Sequence, residues 1–117
     1  LIDMKRRQLS PETSLSAAEA ALCRALLSLR TPPEMLAFLR DLCTPAELEA
    51  LVDRWSVVPY LLQGMAYREI HEHTAVSVTT IGRVARFLGA GNGGYRAAIG
   101  HHALDKATAK PARKKSR

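Results

Sequence analysis

Aromatic residues are few in this sequence, with one Trp, three Tyr and two Phe making up 5% of 117 residues. That leaves little with which to stack unpaired bases, since only Tyr67 and Tyr95 are candidates for exposed rings. Long apolar runs are missing as well. None approaches the ~20 residues that a membrane span needs, and no secretory signal precedes the first helical pattern. Cysteine is limited to Cys23 and Cys43, which stand singly in helical surroundings. Two such cysteines build neither a disulfide framework nor a zinc site, and they read as reduced, packed thiols of a cytoplasmic protein. A chain of this length makes one domain, too short for the usual two-layered enzyme with a cleft. The sequence opens on Leu1 and not on Met, so a trimmed or differently placed start is expected. What it does have is Leu and Ala within a 47% apolar composition, a balance that favours helices.

The formal charge of +6 is unevenly placed. Lys5, Arg6 and Arg7 against Asp3 give the first eight residues +2. Lys106, Lys110, Arg113, Lys114, Lys115 and Arg117 against Asp105 give residues 101–117 +5. The intervening chain is therefore −1, and the high pI belongs to the ends. Within that middle the sign changes, from −3 over residues 9–64 to +2 over 65–100. The second half is the one suited to a phosphate backbone.

Residues 1–13 lack periodicity and read as a basic flexible arm, followed by a folded domain over 14–104 and a basic disordered tail over 105–117. Three helix starts carry a capping-box pattern: Ser16-x-x-Glu19, Thr31-x-x-Glu34 and Thr44-x-x-Glu47. The last two have proline directly after the cap. A first helix is expected from about Ser16 to Leu29, with Leu15, Leu22, Leu26 and Leu29 on one face. A second, from about Pro33 to Leu42, is apolar over more than half its circumference and so should be buried on several sides. A third, from about Pro45 to Gln63, should bury Leu48, Leu51, Val52, Trp55, Val58 and Leu62, bend at Pro59 and stop at Gly64. A last helix is expected from Tyr95 to about Leu104, giving an all-α fold. These apolar faces exceed what ~85 ordered residues can cover in one thin layer, which implies a partner chain.

The most informative stretch is Tyr67 to Leu88. It holds two short helical patterns separated by a break at Thr74-Ala75-Val76. Ile70 anchors the first, and Ser77 is a good N-cap for the second. Ile81, Val84 and Leu88 then fall on one stripe, with Val78, Thr79, Gly82, Arg83 and Arg86 opposite. A short helix, a tight turn and a second helix with a small, polar, basic outer face form a helix-turn-helix pattern.

The ordered set Thr44-Pro45, Arg54-Trp55, Leu61-Leu62, Gly64, Tyr67-Arg68-Glu69-Ile70, Thr80-Ile81, Arg83-Val84-Ala85-Arg86, Gly91 and Gly93-Gly94-Tyr95-Arg96 resembles the Trp repressor superfamily, and within it the YerC/YecD-type branch. The likeness covers roughly residues 15 to 100. It implies an intertwined homodimer, in which the first three helices of each subunit interlock, acting as a DNA-binding transcriptional regulator. In Trp repressor two arginines hold the indole of the tryptophan corepressor, and Arg54 and Arg83 match those positions as a possible ligand pocket. Two departures speak against carrying the ligand over: Val84 stands where the repressor has glycine, and Trp55 puts a bulky ring beside Arg54. No tryptophan dependence, and no other cofactor, is expected. His71, which follows the apolar anchor, and Ala75 at the turn also depart from the small residue and the glycine usual at those places.

Other patterns have simpler explanations. Gly89-x-Gly91-x-x-Gly94 matches a dinucleotide-binding fingerprint, but it follows a helix and no strand is expected anywhere. Those glycines suit a sharp chain reversal. His71, His73, His101 and His102 lack the converging ligands of a metal site. Neither Ser77 nor either cysteine has the partners of a nucleophile, so no enzymatic reading stands. For DNA, Val78 and the Thr79 methyl suit thymine methyl groups, and the hydroxyls of Thr79 and Thr80 suit either base type. Arg68 suits a phosphate or a guanine edge, and Tyr67 and Arg86 suit backbone phosphates. The expected DNA-binding set is Tyr67, Arg68, Ser77, Val78, Thr79, Thr80, Arg83 and Arg86. Arg83 pairing with Glu69, or plain solvated arginines, would be the ordinary alternative. Rival functions are a protein-interaction module on the same helical surface and RNA binding through the basic tails.

Overall fold

A computed structural model describes residues 11–106, with side-chain surroundings for 16–101. Among the described residues the secondary structure is all helical: α1 (Pro11–Leu27), α2 (Pro32–Leu42), α3 (Pro45–Ser56), α4 (Val58–Leu62), α5 (Tyr67–Thr74), α6 (Val78–Ala90) and α7 (Gly94–Lys106). The chain divides into two compact units, Leu1–Leu48 and Glu49–Arg117, with the boundary inside α3. Residues 1–10 of the expected arm and 107–117 of the expected tail lie outside the described residues.

In the first unit the proline-assisted starts form as their sequences require. Thr31 accepts the Glu34 N–H at 3.3 Å, while Glu34 Oε1 reaches back to the Arg30 N–H at 2.9 Å. The next box is fully reciprocal: Thr44 accepts from Glu47 N at 3.1 Å, and Glu47 Oε1 accepts from Thr44 N at 2.8 Å. Each bond satisfies an amide that a helix start otherwise leaves orphaned. Ser16 is a correction. It lies inside α1, which starts at Pro11, because a Ser-x-x-Glu string fits a helix interior as well as a helix start. The helix also takes in residues 11–13, which the sequence had placed in the arm.

The burial expected of the second and third helices is not met within the single chain. Neither α2 nor α3 has a buried residue in the single chain, and Leu22, Leu36 and Leu42 are exposed. On α3, Val52 is 56% exposed, and Leu51 and Trp55 are close to 40%. Cys43 is half-buried, whereas Cys23 is exposed and not packed.

The expected third helix is two. It breaks at Val57, and Pro59 sits in the first turn of α4, where a missing N–H costs nothing. Gly64 ends α4 with φ +80, a conformation that glycine adopts without a Cβ penalty. Leu62 remains exposed, while Val57 and Val58 enter the core.

That core lies in the second unit and consists of Val57, Val58, Ile70, Val76, Ile81, Val84 and Leu88. Tyr60, Leu61, Met65, Tyr95 and Ile99 pack around it. The Ile81, Val84, Leu88 stripe of α6 is thus sealed against α4 and α5, as its period predicts. Helix α7 runs two residues past its expected end and is tied to α6 by Arg96, whose Nε donates to the Leu88 carbonyl at 3.1 Å. The described residues contain no helix long and apolar enough to cross a membrane.

Candidate nucleic-acid interface

Helices α5 and α6 pack against each other across a turn of three residues. Ser77 caps α6 as its position implies, accepting the Thr80 N–H at 3.1 Å and donating its own hydroxyl to Thr80 Oγ1 at 3.0 Å. Thr80 is therefore drawn into the cap and half-buried, while Thr79 stays exposed.

The turn shows how this chain manages without a glycine. Ala75 takes the left-handed conformation at φ 65, and its N–H closes on the His71 carbonyl at 2.7 Å. Thr74 Oγ1 donates to the Ile70 carbonyl at 2.7 Å and accepts from the Val76 N–H at 3.1 Å. His71 Nδ1 lies 2.8 Å from the Val76 carbonyl oxygen. A carbonyl only accepts, so this nitrogen carries the hydrogen and donates it. The His71 ring thereby spans the turn, and a large residue at this position acts as a strut. Neither role was read from the sequence. The Ser/Thr habit of bonding backbone nearby would have flagged Thr74. Holding alanine at positive φ costs about 1 kcal/mol. Ala75→Gly is expected to raise unfolding free energy by about that amount in urea titration. Unchanged or lower stability would show that Ala75 is unstrained.

All but one of the predicted DNA-facing residues are open to solvent, the half-buried Thr80 being the exception. Tyr67 and Val78 are 42% and 48% exposed, and Arg68, Ser77, Thr79, Arg83 and Arg86 are exposed as well. The Arg83 guanidinium lies 5.0 Å from the Phe87 ring centroid and that of Arg86 5.7 Å from it. No ion pair joins Arg83 to Glu69 among the described residues. Gly82 on α6 passes close to Tyr67, where an added Cβ would make ordinary contact at 3.7 Å from Cε2.

Beyond α6 an open apolar cavity of about 360 Å³ is lined by Trp55, Phe87, Gly91, Asn92, Gly94, Tyr95 and Ala98. Arg54 and Arg83, the expected ligand pair, are not part of its wall. Val84, at the position of the repressor's glycine, is fully buried in the core. The Gly89-x-Gly91-x-x-Gly94 string follows no strand. Gly89 lies within α6, Gly91 caps its end and Gly94 opens α7. A Cβ on Gly91 would overlap the Phe87 carbonyl oxygen, so here glycine is required for close approach. Among the described residues no group of three His, Cys, Asp or Glu side chains is arranged to hold a metal.

The family model described as "Trp repressor protein" matches residues 7–103. The chain belongs to the Trp repressor family. This is a family of DNA-binding regulators and not of enzymes. As a member, the chain is similar to "Uncharacterized protein YerC" of Bacillus subtilis (strain 168). The two are 38% identical over 78 residues, spanning 67% of this chain and 75% of that protein. No solved structure matches this Trp repressor family chain significantly.

Proposed function

We propose that this protein is a sequence-specific transcriptional regulator that reads DNA as a homodimer, with α6 as the recognition helix. The observation that carries the reading is the two-sided character of α6. Ile81, Val84 and Leu88 are buried beneath it, while Val78, Thr79, Arg83 and Arg86 are open to solvent. Residues in the first turn and a half of such a helix reach base edges in the major groove. Thr79 and Val78 supply a hydroxyl and a methyl surface there, and Arg68, Arg86 and Tyr67 flank them for phosphate.

Dimer formation is supported by the apolar side chains of α1 to α3, which the single chain leaves open. A twofold pair would set two recognition helices about 34 Å apart and favour a palindromic site. The regulator acts in the cytoplasm, and it acts without tryptophan, the latter supported by a Val84 side chain packed into the core. Saturable micromolar binding of L-tryptophan in calorimetry would overturn that last point.

Selection of bound sites from a random duplex pool tests the reading, and a recovered palindrome is the expected result. Against the selected site, Thr79→Ala and Arg83→Ala should each reduce discrimination between matched and mismatched duplexes by about tenfold. Removing residues 105–117, with five basic residues in excess of acidic ones, should flatten the salt dependence and leave site preference intact. Loss of site preference on tail removal would contradict this division of labour. No enrichment from the duplex pool, with tight binding of single-stranded RNA or of a protein in a parallel assay, would favour the rival readings.

A further inference from the structure

One ring carries both exposed arginines of the recognition helix. Arg83 and Arg86 each place their guanidinium carbon within ~6 Å of the Phe87 centroid, the range of a cation–π contact. Phe87 stands one helical turn beyond Arg83 and directly after Arg86. Its backbone is tied to the end of α6. The ring is half-buried in the wall shared with Trp55 and Tyr95, and its carbonyl accepts the Gly91 N–H at 3.0 Å. Gly91 packs so closely on that carbonyl that no Cβ fits. Among the described residues neither guanidinium meets a carboxylate, and the ring contact is the one that both share.

We infer that Phe87 is a positioning residue for DNA binding: its ring holds the Arg83 and Arg86 guanidiniums ready for the duplex, Arg83 for a base edge and Arg86 for the phosphate backbone. The inference rests on the DNA-binding reading above. An unrestrained arginine must give up rotamer freedom when it binds, which weakens the contact. A guanidinium that meets a ring through its face keeps its in-plane N–H donors for base edges or phosphate oxygens. Phe87 thus contributes to affinity without touching DNA.

The test is a double-mutant cycle on the selected duplex, using the full chain: wild type, Phe87→Leu, the pair Arg83→Ala with Arg86→Ala, and the triple variant. Thermal unfolding checks that each is folded. Phe87→Leu should weaken binding about tenfold, from the rotamer freedom of two arginines, with the salt slope unchanged because no phosphate contact is removed. In the arginine-free background the same change should cost less than about twofold. Phe87→Trp, which keeps a ring face, should restore affinity. In the free protein, the Hε protons of Arg83 and Arg86 should show ring-current shifts that Phe87→Leu abolishes. An equal loss in both backgrounds, or no loss, overturns the inference while leaving DNA binding in place. A wild-type chain that binds no duplex overturns both, and the ring-current shifts would then report the contact alone.

Discussion

A chain carrying Leu51→Asp and Val52→Asp is expected to sediment as a monomer and to lose more than about a hundredfold in DNA affinity. Both side chains lie on α3, where the single chain leaves them well exposed. An exposed leucine is unremarkable alone. Here Val52 and Trp55 are exposed on the same helix, and in the first unit Leu22, Leu27, Leu36 and Leu42 of α1 and α2 are exposed too. If a second copy covers α3, two carboxylates placed there lose hydration without gaining a partner, a penalty of several kcal/mol. Every 1.4 kcal/mol is a factor of ten in the association constant. Helical content measured by circular dichroism should become concentration-dependent, since assembly stabilises the fold by mass action. A variant that remains dimeric at micromolar concentration with wild-type affinity would assign the apolar face to something other than a second copy.

The second large effect concerns the core of the reading unit. Ile81→Ala should lower unfolding free energy by about 2–5 kcal/mol, because a fully buried side chain is replaced by a cavity. Val78→Ala, three residues earlier but solvent-facing, should change it by less than about 0.5 kcal/mol and act on DNA binding instead. Urea titration of both variants checks the contrast. Comparable stability losses would mean that α6 is not the two-faced helix described here.

The reading unit was the most legible part of the chain because its signals are local. Ser77 and Gly64 act through their own backbone surroundings, and a stripe of Ile81, Val84 and Leu88 states its own inner face. Less local features were hidden. Nothing in Trp55-Ser56-Val57 marks a helix break, and Pro59 is as compatible with starting a helix as with bending one. Periodicity showed which side of α3 is apolar, but packing partners are a tertiary matter, and the single chain covers none of it fully. Ser16 illustrates the weakness of a short capping pattern without a flanking break. His71 and Ala75 looked awkward only when judged one residue at a time. The bonds from His71 to Val76 and through Thr74 make the strained alanine tolerable, and such compensation is visible only in three dimensions. Phe87 likewise reads as one more apolar residue until the two guanidiniums are seen above it.

The most direct test of the central claim is amide shift mapping of the ¹⁵N-labelled protein as a selected duplex is added. Perturbations concentrated at Tyr67, Arg68, Ser77, Val78, Thr79, Thr80, Arg83 and Arg86, with Ile81, Val84 and Leu88 little changed, are the predicted result. Shifts confined to α1, α2 or the basic tail, with Val78, Thr79 and Arg83 unmoved, would contradict it.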